Sequence, residues 1–302
     1  MDYIIVSTAV IDRITDPRGN YLGEKLGGAG IYAYTGAKIW SDDAILVTGI
    51  GRDFNTKFEY WIRKNNVDVS GLIIKDEKTA ISNINYLSAD NREETPEFGR
   101  EHYQKMEATT KEIASKINNT KGVYIFKDCN KDYWNEVFEL KKNHNFKVMW
   151  ELNGDVCKPD CLELVKEIAK NCEMISLNKS EAFSLLGSDD LNYVKRELIK
   201  WNIPLIYLRV GDKGAIMISP DIQINIPTVK NINVIDTTGA GNSSTAAIMV
   251  GYCENMDIYE IGLMGSIAAA FTIKQFGPTD IDENIKFEAK KILVKMKQNK
   301  KD

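Results

Sequence analysis

The chain has 302 residues, of which 43% are hydrophobic and 27% are charged, and its formal net charge is −4 at pH 7. This length and composition predict a soluble globular protein whose apolar residues suffice for a large core. The slightly acidic balance provides no basic surface, and we therefore expect neither nucleic acid nor a membrane surface as a partner.

Short apolar runs alternate with helical patterns along most of the chain. Strands are predicted at 3–7, 44–47, 123–126, 147–150, 174–177 and 205–208, and helices at 31–40, 58–64, 134–142, 161–171, 179–186 and 191–201. This alternation predicts an α/β fold with a central, mainly parallel sheet flanked by helices. The Lys-rich segment 286–302 predicts an amphipathic C-terminal helix.

Two more polar segments, 9–25 and 79–103, interrupt this alternation and look extended. Apolar and polar residues alternate in the second of them, as at Ile81, Asn83, Asn85 and Leu87. We expect both segments to form a small β sheet that projects from the main body. Its expected role is a lid that excludes water from a reaction site, and the alternative is an ordinary surface flap.

The cysteines and histidines argue against a disulfide framework or a multi-histidine metal site. The five cysteines are odd in number and widely spaced, which is typical of a reducing compartment. Cys157 and Cys161 lie in C-K-P-D-C, but no second pair follows at zinc-like spacing, and His102 and His144 are the only histidines. No apolar run reaches the ~20 residues of a membrane-spanning helix and no signal peptide is recognisable, so we predict a cytoplasmic location.

A small-residue turn, Asp236-Thr237-Thr238-Gly239-Ala240-Gly241-Asn242-Ser243, runs directly into an apolar helical pattern. Such a turn points backbone N–H groups at an anion, and the helix dipole adds about half a positive charge there. A phosphate group is therefore the expected ligand.

This stretch resembles the second signature of the PfkB (ribokinase-like) carbohydrate kinases, D-T-x-G-A-G-D-x-F. The resemblance implies that Gly239, Ala240 and Gly241 form the anion hole for the transferred γ-phosphate, with Thr238 at the nucleotide. It also places Asp236 at a monovalent-cation site, which makes K⁺ a candidate cofactor beside ATP and Mg²⁺.

Asn242 stands where the family has the Asp that takes the proton from the substrate hydroxyl. A carboxamide accepts no proton at neutral pH, and loss of a general base typically costs about 10²–10⁴-fold in rate. Phosphoryl transfer depends mainly on positioning and electrostatics, so a slow kinase and a kinase with another base both stay open. We expect Asn242 to orient the hydroxyl; the Asn marks an atypical branch of the family.

Two features resemble the part of the family's site that binds the acceptor. Gly27-Gly28-Ala29-Gly30 opens a helix and is similar to the signature G-G-x-x-x-N-x-A, with Tyr32 at the Asn position. Tyr32 implies a flat or partly apolar substrate, or a pocket that is filled differently. Asp12 aligns with the Asp that binds sugar hydroxyls, although a turn residue is the alternative. The resemblance thus assigns Asp12, Gly28 and Tyr32 to substrate binding.

Three further features resemble the part of the site that binds the nucleotide. Asn178 and Glu181 match the N-x-x-E motif, in which Glu181 holds Mg²⁺ through water; a helix cap is the structural alternative and is compatible with that role. Arg209, Gly211 and Gly214 are similar to the T-x-G-x-x-G block, with Arg209 in place of Thr and able to reach phosphate. Gly277 follows a helix that resembles the adenine-flanking helix.

The resemblance therefore implies one ribokinase-like domain over residues 1–302, with an ATP-dependent phosphotransferase activity on an alcohol group. The expected acceptor is a sugar-like or nucleoside-like small molecule, and the lid suggests a homodimer. The alternative is a catalytically impaired relative that senses a nucleotide or sugar. A dinucleotide-dependent dehydrogenase is excluded because no G-x-G-x-x-G follows the first strand.

Overall fold

The computed structural model describes residues 1–87 and 92–298. Thirteen strands form within these residues, and their bounds are β1 Tyr3–Val6, β2 Val10–Thr15, β3 Tyr21–Gly27, β4 Ala44–Gly51, β5 Leu72–Asp76, β6 Ile81–Tyr86, β7 Arg92–Pro96, β8 Gly122–Lys127, β9 Lys147–Leu152, β10 Met174–Asn178, β11 Leu205–Arg209, β12 Ala215–Ile218 and β13 Gln223–Ile226. The helices of the described residues are α1 Ala29–Lys38, α2 Phe54–Lys57, α3 Glu59–Lys64, α4 Gly99–Lys105, α5 Thr110–Ala114, α6 Lys131–His144, α7 Leu162–Ala169, α8 Lys179–Leu186, α9 Leu191–Ile199, α10 Ala240–Cys253, α11 Ile258–Thr272 and α12 Glu283–Gln298.

A nine-stranded sheet in the order β13-β12-β11-β10-β9-β8-β1-β4-β5 forms the main body. The seven strands β11, β10, β9, β8, β1, β4 and β5 pair in parallel, and β12 and β13 add an antiparallel edge. Successive side chains of a strand face opposite sides of a sheet. Ile4 and Ile5 of β1 accordingly enter two different hydrophobic clusters, one on each face. The predicted α/β fold with a central, mainly parallel sheet is confirmed.

The smaller sheet has the order β3-β2-β6-β7 and is built from the two segments predicted to project from the body. β3 extends to Gly27, beyond the predicted boundary at residue 25. The expectation of an extended chain up to residue 103 is wrong, because Gly99–Lys105 forms α4. This helix is short and polar and has no buried residue of its own, so it left no apolar stripe in the sequence.

Three helices hold the predicted phosphate turn against the sheet. α10 packs between α1 and α11 on one face, where most of its residues are buried. A Cβ added at Gly36 of α1 would collide with the backbone oxygen of Ser243, so α1 and α10 approach each other closely at this point. The amino-terminal end of α10 is therefore fixed by backbone packing. No helix within the described residues is both long and apolar enough to cross a membrane.

Candidate functional site

A cavity of about 690 Å³ opens at the carboxyl ends of β9, β10 and β11. Ligands of open α/β sheets bind at this edge, because the strand ends and the following loops converge there. Eight of the residues predicted from the sequence line the cavity: Asn178, Glu181, Arg209, Gly211, Gly214, Ala240, Gly241 and Asn242. An apolar wall that includes Val229, Val234, Ala270 and Ile273 completes the cavity.

The phosphate turn depends on the absence of a side chain at Gly239. This residue precedes α10 with φ of 75°, a left-handed conformation that costs an L-residue about 1–2 kcal/mol. A methyl group added there would lie 2.0 Å from Cγ of Tyr32, whose ring fills the space behind the turn. Tyr32 is only 2% exposed. Its ring thus shapes the turn, and its contact with an acceptor stays a prediction.

The amino-terminal end of α10 offers free backbone donors to the cavity. The Ala240 N–H donates to the Thr237 carbonyl at 3.3 Å, whereas the hydrogen bonds of the described residues include none from the N–H groups of Gly241 and Asn242. The first N–H groups of a helix have no partner inside the helix, and the helix dipole makes that end positive. α10 has 14 residues, so its aligned peptide dipoles add up, and its amino-terminal end can bind an anion.

Asp236 shapes the same turn from its other side. Its Oδ1 accepts hydrogen bonds from the Thr238 backbone N–H at 3.0 Å, from the Thr238 hydroxyl at 2.7 Å and from the Tyr86 hydroxyl at 2.8 Å. Tyr86 lies on β6 of the small sheet, so this hydrogen bond joins that sheet to the phosphate turn. A monovalent cation at Asp236 stays a prediction.

Asn178 and Glu181 form a reciprocal cap at the start of α8. The Asn178 side chain accepts from the Glu181 N–H at 2.9 Å, and the Glu181 carboxylate accepts from the Asn178 N–H at 2.6 Å. Burial raises the pKa of Glu181 although the positive charge of Arg209 opposes the shift. The cap thus holds a carboxylate and an amide at the rim of the cavity, where both supply the oxygen ligands that Mg²⁺ prefers.

A buried cluster of charges lies beneath the turn, and sequence reasoning missed its central member, Glu151. Arg209 donates from Nη1 to Glu151 Oε1, and its Nη2 lies 3.4 Å from Glu181 Oε2. Glu151 is 2% exposed. Its one sequence signal is a carboxylate that directly follows the apolar residues Val148, Met149 and Trp150 of β9, where a charge is expensive to bury unless it is paired.

Asn242 is connected to the same cluster through Tyr124. The Asn242 Nδ2 donates to the Tyr124 hydroxyl at 3.3 Å, and that hydroxyl donates to Glu151 Oε2 at 2.6 Å. Burial, reinforced by the negative charge of Glu151, raises the pKa of Tyr124 well above its ordinary value. Tyr124 therefore stays protonated, and its hydroxyl donates to Glu151. The oxygen of the same hydroxyl accepts the hydrogen bond from the Asn242 amide.

The predicted acceptor residues Asp12, Gly28 and Tyr32 are absent from the described lining of the large cavity. The carboxylate of Asp12 occupies the space that a side chain at Gly27 would need, and Gly28 has φ of 96° and packs against the backbone of Thr8. A second cavity, of about 60 Å³, includes Ser7, Thr8, Tyr103, Glu107, Lys127 and Asn153 in its lining. Phe126 lines both cavities.

Two other predictions have different outcomes. Gly211 and Gly214 have φ of 66° and 89°, as expected for a tight turn between β11 and β12, and both line the large cavity. A Cβ added at Gly277 would lie 3.6 Å from the carbonyl oxygen of Leu26, so Gly277 lies next to the small sheet. Gly277 is absent from the described lining of the large cavity. In the described parts of the chain, no three His, Cys, Asp or Glu side chains form a ready metal cluster.

Comparisons with known proteins show the family. The pfkB family carbohydrate kinase model matches residues 1–285, and the chain therefore belongs to this family. A nucleoside kinase of Methanocaldococcus jannaschii is 26% identical over 257 residues, which cover 83% of this chain and 80% of that protein.

Solved structures show the same fold. A probable sugar kinase from Rhizobium etli CFN 42 has a TM-score of 0.79 at 17% identity, covering 96% of this chain and 98% of that one. A fructokinase from Vibrio cholerae O395, solved with fructose, ADP and calcium ion, has a TM-score of 0.73 at 17% identity, covering 95% and 98%.

Proposed function

We propose that this PfkB-family protein transfers the γ-phosphate of ATP to an alcohol group of a sugar-like or nucleoside-like small molecule. The observation that carries the proposal is the open amino-terminal end of α10, whose free N–H groups face a cavity of about 690 Å³. Asn178, Glu181 and Arg209 line the same cavity, so anion-binding donors and metal-binding oxygens meet in one place.

The nucleotide occupies the large cavity in this proposal. The apolar wall around Val229, Ala270 and Ile273 suits a purine ring, and the turn at Gly211 and Gly214 lines the path to the phosphates. Magnesium, when bound, would supply positive charge that neutralises the phosphate groups. Glu181 would hold it through water, beside the Asn178 amide, since both side chains supply oxygen at the cavity rim.

The acceptor is proposed to bind near the smaller cavity, beyond Phe126. Asp12 and the polar side chains of Ser7, Thr8 and Asn153 can pair with the hydroxyl groups of a polyol. The relatives named above include a nucleoside kinase and a fructokinase, and both classes of acceptor carry such hydroxyls. The small sheet acts as a lid, because Tyr86 already ties it to Asp236 of the phosphate turn. A homodimer through this sheet is part of the proposal.

Asn242 orients the attacking hydroxyl without deprotonating it. Its Nδ2 is held by Tyr124, which leaves its amide oxygen as the acceptor for a substrate O–H. Transfer then depends on geometry and charge stabilisation, which are the larger contributions in phosphoryl transfer. The comparisons give no support to a catalytically impaired sensor, and the following experiment separates the two activities.

ATP turnover by the wild-type chain is measured across a panel of sugars and nucleosides, beside calorimetric binding of ATP with Mg²⁺. The proposal predicts turnover above background that depends on one class of acceptor. A matched variant, Gly241→Val, should abolish it, because a side chain there meets the Arg209 guanidinium. Tight ATP binding without turnover at any acceptor would contradict the proposal and favour the sensor.

A further inference from the structure

The charge cluster beneath the phosphate turn lies directly under the backbone that is proposed to hold the γ-phosphate. A Cβ added at Gly241 would lie 2.2 Å from Nη1 of Arg209 and 3.5 Å from Oε1 of Glu151. The guanidinium therefore fills the space under Gly241 and lies next to the N–H group that faces the cavity. Arg209 also lines the cavity itself.

The protein holds this guanidinium by both of its terminal nitrogens. Nη1 donates to Glu151, and Nη2 lies near Glu181. A guanidinium keeps its charge at any pH at which the protein is folded, and the carboxylates of Glu151 and Glu181 balance that charge in the buried cluster. The side chain is thus a permanent cation with little freedom to move, which costs no reorganisation during a reaction.

Glu151 connects Arg209 to Asn242, the residue at the position of the family's catalytic base. One of its carboxylate oxygens binds Arg209, and the other accepts from Tyr124, whose oxygen binds the Asn242 amide. Both groups that flank Gly241 are therefore fixed by one buried carboxylate. A carboxylate at position 242 would receive no hydrogen bond from Tyr124, because that hydroxyl already donates to Glu151. It would also lie near the negative charge of Glu151, which is unfavourable.

We propose that Arg209 is a catalytic residue that stabilises the transferred phosphoryl group, and that Glu151 is the positioning residue that holds it. This inference rests on the proposed function. The acceptor oxygen forms a bond to the γ-phosphorus as the bond from that phosphorus to the oxygen bridging to the β-phosphate breaks. ADP leaves with the electron pair of the broken bond. The hydroxyl proton moves to a non-bridging oxygen of the transferred phosphoryl group, so the step balances without a protein base.

The rate enhancement that a fixed arginine supplies is large enough to compensate for the missing general base. Arginine contributions to phosphoryl transfer are about 10³–10⁵-fold, whereas a general base contributes about 10²–10⁴-fold. The chain thus combines an amide at 242 with a cation at 209, where the family motifs have an acid and a threonine. Charge stabilisation replaces proton removal.

The test compares Arg209→Met and Arg209→Lys with a control, Lys141→Met, which removes a partly buried ion pair between Lys141 on α6 and Glu173. Two quantities are measured: kcat and KM for ATP, and the affinity for MgADP with and without aluminium fluoride, which mimics the transferred phosphoryl group. We expect Arg209→Met to lower kcat by about 10³-fold or more and to lose the tightening caused by aluminium fluoride, with MgADP affinity changed less than tenfold. Lys141→Met should match the wild type in both.

Glu151→Gln tests the positioning role. It should lower kcat by about 10–100-fold and leave KM for ATP and MgADP affinity near the wild-type values, since it loosens the guanidinium without removing it. A merely structural role would instead lower thermal stability without this split between kcat and KM.

The outcomes separate the two proposals. Folded Arg209→Met with wild-type kcat and an intact aluminium fluoride effect overturns the inference and leaves the proposed function standing. If Arg209→Met does not fold, Arg209→Lys decides: a fall in kcat of about 100-fold supports the inference, and an unchanged kcat overturns it. A wild-type chain that neither binds MgADP nor transfers phosphate contradicts both.

Discussion

The conformation of the phosphate turn makes Gly239→Ala a quantitative test of the local geometry. The left-handed backbone at this residue costs an alanine about 1–2 kcal/mol. The new methyl group would also overlap the Tyr32 ring, and overpacking of this kind costs about 1–3 kcal/mol. We therefore expect Gly239→Ala to lower the free energy of unfolding by about 2–5 kcal/mol in equilibrium urea denaturation.

Gly187→Ala is the matched control for the backbone contribution. Gly187 also has a left-handed conformation, with φ of 62°, but a Cβ there meets no atom within 4 Å. Its substitution should cost only about 1–2 kcal/mol. In a Tyr32→Ala background the cost of Gly239→Ala should fall to the same range, because the ring that causes the overlap is gone.

Equal destabilisation by Gly239→Ala and Gly187→Ala would contradict this expectation, as would a cost of Gly239→Ala that removal of the Tyr32 ring leaves unchanged. Either result would mean that the ring does not press on the turn.

Three further predictions concern the cap of α8, the buried hydrogen bonds and the small sheet. Asn178→Ala should lower the free energy of unfolding by about 1 kcal/mol and weaken MgADP binding in calorimetry, whereas Asp190→Ala, which removes the cap of α9, should cost the same stability and leave binding unchanged. Tyr124→Phe should cost about 1–3 kcal/mol in urea denaturation, because Glu151 loses a donor; a neutral effect would contradict the pairing. The hydrogen bond from Lys57 lowers the pKa of Glu24. The stabilisation from this contact is complete above the unfolded pKa of about 4.3 and is lost as pH falls through the lower folded pKa. Hydrogen-exchange protection of β3 should therefore fall in that pH range, by at most about 1 kcal/mol. Glu24→Gln should remove this pH dependence.

The buried parallel strands were predictable because they are continuous apolar runs that need no knowledge of their neighbours. The edge strands β5 and β13 were missed because each has mostly partly buried or exposed residues and so carries a weak apolar signal. α8 was predicted with its observed bounds because Asn178 and Gly187 mark its ends with ordinary capping chemistry.

The turn before α10 was predictable for a different reason, because glycines and small residues directly before an apolar helical pattern indicate a turn that opens a helix. The charge cluster was not. Glu151 and Arg209 are 58 residues apart and meet only when β9, β10 and β11 are in register. The position of the Tyr32 ring behind Gly239 was likewise out of reach, because the two residues are far apart in the sequence.

The most direct test of the central claim follows the phosphate itself. Phosphorus NMR of the wild-type chain with ATP, Mg²⁺ and each acceptor of the panel distinguishes transfer to a hydroxyl from hydrolysis. We expect a new phosphomonoester resonance that grows in proportion to ADP with one class of acceptor. Bound ATP that stays intact with every acceptor, or that yields only inorganic phosphate, would contradict the proposed transfer.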